Sequence, residues 1–293
     1  MSENTVVINK SVKSSMAKRK IGKFCKNKFA VISAVLLTLL VLACVCAPLL
    51  TPHDPTRINV LMKYADPSKE HPLGCDRLGR DLLARALYGG RWSLVVGFFG
   101  SLGCNLLGTA LGLAAAYFRG KVDRVLVTIQ EFVGLLPTTL ILILIGGVIK
   151  INIWILLLFW TLTSWGGIMR SCRSRVLSLC SEPFIESCVA NGISGFSILF
   201  HHILPNALGP FLVSLTTNIG GFILSEAGLS YLGYGLDSSI PTWGNLMNAT
   251  KNIEQLMGEP IQWIVPGFCI LLLTLCVNFI GDGLRDAVDA TSR

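Results

Sequence analysis

A few residues in this chain have the types that chemistry needs, and their spacing decides whether they can use it. His201 and His202 are adjacent, so in a helix they point to different faces, and no carboxylate at i+4 completes a metal site. Ser230 lies in GLSYLG, which lacks the strand–turn–helix context that activates a nucleophilic serine. Glu131 and Glu226 each sit near the end of an apolar run. The ten cysteines contain no C-x-x-C pair, so structural zinc is not expected, and no metal site is assigned. Cys44, Cys46, Cys104, Cys269 and Cys276 fall inside apolar runs, where a free thiol packs as a small hydrophobe, and Cys75 has no partner on its side. There is no H-E-x-x-H and no G-x-x-x-x-G-K-[ST], which excludes a zincin protease and a self-contained nucleotide motor. No catalytic residue is therefore assigned.

The composition points to a membrane. The 293 residues are 52% hydrophobic and 14% charged, against about 25% charged in soluble domains. Six charge-free segments stand out: 29–50, 92–118, 132–149, 151–169, 203–225 and 261–281. About 20 residues at 1.5 Å each cross a hydrocarbon core of about 30 Å, so each can span. The fold class is all-α, a polytopic membrane protein with six transmembrane helices. Only Lys150 and its neighbours separate the third and fourth segments, which predicts a tight helical hairpin. VLAC at 41–44 faintly resembles a lipoprotein cleavage box, but the apolar run continues to Leu50, so a retained first helix is expected.

Lys and Arg set the orientation. With both termini on the cytosolic side, 16 of the 25 Lys/Arg lie inside, in accord with the positive-inside tendency. The basic tail 1–28 is thus a topology signal, and nucleic-acid binding is not expected. The division is a first helix at 29–50, an extracytoplasmic segment at 51–91, a five-helix core at 92–285 and a cytosolic tail at 286–293. Within 51–91, Leu78, Leu82, Leu83 and Leu87 share one face of a predicted amphipathic helix, which lies along the outer surface or leads into the second span. Asn105, Asn218 and Asn278 are polar inside spans and either line a path or bond across helices. Mid-membrane ionisable residues and inverted repeats, the marks of a coupled carrier, are missing. The chain reads as a pathway without an engine.

The polar segment at 184–206, FIESCVANGISGFSILFHHILPN, carries a pattern that resembles the cytoplasmic loop of ATP-binding-cassette importer permeases. That loop reads E-A-A, three residues, G, nine residues, I-x-L-P. Here Glu186, Ser187 and Cys188 stand for E-A-A, Gly192 for the glycine, and Leu204 and Pro205 for the final L-P; His202 replaces the isoleucine. HPLGCDRLGRDLLARALYGGRWSL, SEAGLSYLGYGLDSSIPTWGNLMNAT and WIVPGFCILLLTLCVNFIGDGLRDAVD resemble the dipeptide/oligopeptide/nickel branch in its C-type permease. The resemblance implies a type I ABC importer permease fold.

It also implies a coupling helix within the loop 170–206, with Glu186, Ser187, Cys188, Ala190, Gly192, Leu204 and Pro205 as the residues that dock on a partner ATPase. Local chemistry agrees: Ser181 is a good N-cap, Pro183 suits a first turn, and Gly192 breaks the helix. The family places the outer loop 230–260 at the pathway mouth, so Tyr231, Tyr234, Trp243 and Asn245, with the intramembrane Asn218 and Glu226 at the outer end of the fifth span, are candidates for the path or the face toward a solute-binding protein. Implied partners are a homologous permease, two ABC ATPases that bind ATP and Mg, an extracytoplasmic solute-binding protein and the lipid bilayer. This chain itself would bind no cofactor and catalyse no covalent reaction. The expected location is the cytoplasmic (inner) membrane. The expected cargo is a di- or oligopeptide, with nickel or a metal–metallophore complex as the alternative. An autonomous channel or secondary carrier is the more distant one.

Overall fold

The computed structural model describes residues 22–248 and 253–288, without the side chains of 207, 208, 253–255 and 288. The first 21 residues of the basic tail, positions 249–252 of the outer loop and the last five residues lie outside that range. Among the described residues there are helices and no named strands.

Helix α1 spans Lys28–Val45 and starts where the Asn27 side chain accepts the Ala30 N–H at 3.2 Å. Its large side chains, from Phe29 through Leu39 to Val45, are mostly exposed, as a lipid-facing helix requires. Its C-terminus is capped from another helix, because Arg91 donates to the Cys44 and Val45 carbonyls at 2.7 Å each. Helix α2 is a single rod of 37 residues, Leu82–Phe118, about 55 Å long. It fuses the predicted amphipathic helix with the second span. Leu78 is not part of it. Asp76 accepts the Leu78 and Arg80 N–H groups, which folds 76–80 into a turn, and Asp81 then caps the helix through the Ala84 N–H at 2.6 Å.

The third and fourth spans are broken rather than straight. Helices α3 (Gly120–Leu135) and α4 (Thr138–Val148) meet at 66°, where Pro137 supplies no N–H and restricts Leu136 to extended backbone. Residues 149–152 then form the predicted short connection to α5 (Ile153–Thr163), which meets α6 (Gly166–Cys180) at 42°. The basic residues Arg170, Arg173 and Arg175 thus belong to a helix and not to the loop. After α7 (Pro183–Ala190), α8 runs through Leu204–Leu232, α9 through Trp243–Asn248 and α10 through Ile261–Val288. Among the described residues, four helices are long and apolar enough to cross a membrane, and the two bent pairs raise that to six if each is one span.

Helix α2 is the hub. It packs against α1, α5, α6 and α8, while α8 and α10 pack on each other and α10 on α1. Glycine lets backbones approach: a Cβ on Gly108 would lie 2.7 Å from the Trp165 carbonyl, and one on Gly97 would meet Ile223. Asn105 is spent on helix pairing, since it bonds the Ser101 carbonyl and takes a hydrogen bond from Ser214 of α8. Asn278 is exposed on α10.

Candidate functional site

The opposite side of α8 from α10 is where polarity collects. Two cavities, about 280 and 470 Å³, lie end to end along this helix and share Ser164 at the α5–α6 break. The first is bordered by Thr109, Ser171, Arg175, Ser214 and Asn218, the second by Thr138, Thr139, Ser225 and Tyr231. Of the α8 residues that line them, Pro210, Gly228 and Tyr231 lie to the side, and a row is formed by Phe211, Ser214, Asn218, Phe222, Ser225, Leu229 and Leu232. They recur at intervals of three or four, which is one helical face. The 21 steps from Phe211 to Leu232 rise about 32 Å, close to the hydrocarbon thickness of a bilayer. Among the described residues lining the two cavities, Arg175 alone is charged. Asn218 and Tyr231 therefore lie where a path would be. The hydroxyls at 164, 171, 214 and 225 were overlooked in the sequence, although their spacing on or beside apolar helices is legible there.

At one end of the bundle α7 stands out from the helices. Its N-cap is Glu182 rather than Ser181, because Ser181 closes α6 by turning its hydroxyl onto the Ser178 carbonyl at 2.8 Å. The helix ends in a Schellman motif: the Gly192 N–H reaches the Val189 carbonyl at 2.9 Å and the Ile193 N–H the Cys188 carbonyl at 3.1 Å. That closure needs the left-handed backbone of Gly192, whose φ is +72°. Ser194 then caps the short helix Gly195–Ile198, and a π-turn at Leu199–Ile203 feeds into α8, with Pro205 in its first turn. Ile185, Ile198, Leu199 and Ile203 bury against Ala116, Val176 and Leu179 and so fix the loop to α2 and α6.

The outward face is unburied. Glu186, Ser187, Ala190, Gly192 and Pro205 are exposed, together with Phe184, Val189 and Phe196. Cys188 and Leu204 are half-buried against the loop's own core. Behind it Arg173 grips Asp123 of α3 with two hydrogen bonds of 2.5 and 2.6 Å, and Arg170 reaches Gln130 at 3.0 Å. Charge-assisted pairs of this bidentate kind fix geometry as well as add stability. The helix that leads into α7 is thereby tied to α3 of the bent pair.

At the other end, three expected path or docking residues turn inward. Glu226 is fully buried, and its Oε1 accepts from Ser230 at 2.7 Å and Thr242 at 2.8 Å. Trp243 is also fully buried; its indole N–H donates to the Ala86 carbonyl at 2.9 Å and its backbone N–H to Ser93 at 3.1 Å. Asn245 spends its amide on the Leu236, Asp237 and Ile240 carbonyls at 3.1, 2.9 and 2.9 Å. Glu226 and Trp243 present no side-chain surface outward, and Asn245 borders only the recess it shares with Tyr234 and Lys150. The partners are Thr242 and the 236–240 carbonyls of the loop, Ser230 on α8, and Ala86 and Ser93 on α2, so these residues hold 230–248 onto α2 and α8. The second Glu226 carboxylate oxygen has no partner among the described residues. Tyr231 and Tyr234 remain partly exposed, at 42% and 39%. Tyr234 borders a separate polar recess with Lys150 and Asp237, whose carboxyl is held below the usual range by the Ser239 backbone and side chain, despite slight desolvation, and by Lys150.

Comparison with known proteins agrees with this architecture. Residues 108–293 match the family described as binding-protein-dependent transport system inner membrane component, and residues 15–67 match the N-terminal TM domain of oligopeptide transport permease C. The chain is 37% identical over 264 residues to the dipeptide transport system permease protein DppC of Alkalihalophilus pseudofirmus, covering 90% of this chain and 86% of that one. It is 34% identical over 273 residues to the oligopeptide transport system permease protein OppC of Haemophilus influenzae, covering 92% and 87%. For OppC of Bacillus subtilis the identity is 30% over 279 residues, covering 95% and 91%. With a groove of hydroxyl, amide and apolar side chains along one span-length helix face, a protruding loop at one end and these matches over nearly its whole length, the chain belongs to the binding-protein-dependent transport system inner membrane components and is a multi-pass membrane permease.

Proposed function

We propose that this chain is the permease subunit of an ATP-driven importer of dipeptides or oligopeptides in the cytoplasmic membrane. The observation that carries the reading is the α8 face of hydroxyl, amide and apolar side chains running the length of a span. Such a lining suits a cargo with a constant backbone and variable side chains, because hydroxyls and Asn218 can exchange hydrogen bonds with peptide groups without selecting a side-chain charge. The names of the relatives support the cargo class.

The groove is open along one side, so a homologous permease completes the pathway. The exposed face of α7 takes a cleft on one of two ATPase subunits, which bind the ATP and Mg and supply the work. A rigid-body shift of α7 passes through the π-turn into α8 and through the Arg173–Asp123 pair into α3, and alternates access to the groove. The Lys/Arg distribution puts α7 and both termini in the cytosol, leaving 51–81 and 233–260 toward a solute-binding protein.

Ser164 borders both cavities, so Ser164→Phe tests the pathway. In proteoliposomes holding the assembled transporter, uptake of labelled dipeptide should fall at least tenfold while the ATPases still co-purify. Unchanged uptake would refute the groove as the path, and ATP-driven accumulation of Ni²⁺ in place of dipeptide would refute the cargo.

A further inference from the structure

The segment 51–81 holds a cluster that plays no part in the pathway. His53 follows α1, His71 lies in the middle of the segment, and Asp81 is the residue before α2. One ligand atom from each lies within 4.8 Å of the other two. The His71 Nδ1 and Asp81 Oδ2 are 2.8 Å apart, and the two imidazole rings sit 4.6 Å apart at 30°. Asp81 is buried, and its other oxygen is committed to the Ala84 N–H, so the carboxylate is held in place by the helix start. His53 is held more loosely, by one hydrogen bond of 2.9 Å between Nε2 and the Glu70 carbonyl. The three residues border a recess of about 330 Å³, together with Asp54 and Arg57, whose charges offset one another.

We propose that His53, His71 and Asp81 bind a divalent transition-metal ion, Zn²⁺ by its donor preference. Two imidazoles and one carboxylate form an N₂O set, which suits Zn²⁺, whereas Mg²⁺ and Ca²⁺ prefer oxygen ligands alone. Zinc bonds of 2.0–2.1 Å place tetrahedral ligands about 3.3 Å apart. The His71–Asp81 contact therefore opens by about half an ångström, and the His53 ring turns off the Glu70 carbonyl to close the third side. The recess leaves the fourth position to water. The ion would join His53, which follows the short helix Ala47–Leu50 after α1, to the residue just before α2 and so staple the otherwise irregular segment between them. This site does not depend on the peptide reading of the groove.

The test uses the full chain in its assembled transporter, purified without a polyhistidine tag, with the accessible cysteines blocked by N-ethylmaleimide. After dialysis against buffered Zn²⁺, elemental analysis should find a single tightly held equivalent. His53→Gln and His71→Gln should each weaken binding at least tenfold, the scale on which metal sites respond to lost ligand support. Co²⁺ should give the visible d–d bands of a four-coordinate ion, and His53→Gln should abolish them. His53 does not touch Asp81, so that variant keeps the helix cap, and unchanged helical circular dichroism and elution volume will show that the fold is intact. No stoichiometric Zn²⁺, or equal retention by wild type and both variants, would overturn the proposal and leave His71–Asp81 as a helix-capping hydrogen bond only.

Discussion

Replacing Gly192 separates backbone conformation from contact surface in the α7 loop. Its φ of +72° is required by the Schellman closure, yet a Cβ there would meet nothing within 4 Å. The cost of Gly192→Ala is thus the left-handed backbone penalty alone, about 1 kcal/mol, with no steric contribution. That penalty shifts the ratio of closed to frayed loop about fivefold. Because Ile185 and Ile198, and not Gly192, fix the loop to α2 and α6, the bundle itself should be unaffected. The measurement is the initial rate of ATP-dependent uptake by reconstituted transporter, alongside the thermal unfolding midpoint of the purified complex. Gly192→Ala should slow uptake several-fold at an unchanged midpoint, and Gly192→Asn should recover most of the rate, since Asn tolerates this backbone region. Wild-type uptake by Gly192→Ala would refute the reasoning. So would a Gly192→Asn variant as slow as the alanine, because backbone freedom would then not be what the position supplies.

Two other outcomes rest on burial. Trp243→Ala removes a fully buried indole and its bond to the Ala86 carbonyl, so it should destabilise the chain by about 3–5 kcal/mol, read as a lower unfolding midpoint that Trp243→Phe largely restores. Cys75 is buried, and its thiol is pushed above the ordinary range, first by desolvation and then by the Asp81 and Asp76 carboxylates. Thiolate is the reactive form, so at neutral pH mass spectrometry should find Cys75 unmodified by N-ethylmaleimide when the exposed Cys25 is fully labelled, with modification rising only toward alkaline pH.

The spans were legible from the sequence because a membrane crossing is a one-dimensional requirement, an uninterrupted apolar run of sufficient length. The same holds for the end of α7, since Gly192 is a local answer to a local backbone need, and for the bend at Pro137, which lacks an N–H. Even the α8 stripe is written in a three-and-four spacing. The bend at Ser164–Trp165 has no proline to announce it, and α2 hid its true start because an amphipathic pattern does not reveal that Asp76 and Asp81 fold the preceding turn. Glu226, Trp243 and Asn245 were expected at the mouth because the family resemblance places the outer loop there, and residue type alone does not contradict exposure. What turned them inward was the packing of distant partners: Thr242 lies 16 residues from Glu226, and Ala86 lies 157 from Trp243. His53, His71 and Asp81 likewise share no motif spacing and meet only because the segment between α1 and α2 folds back on itself. Periodicity fixes which face of a helix a residue occupies. Only tertiary contact decides whether that face meets lipid, a groove or another part of the same chain.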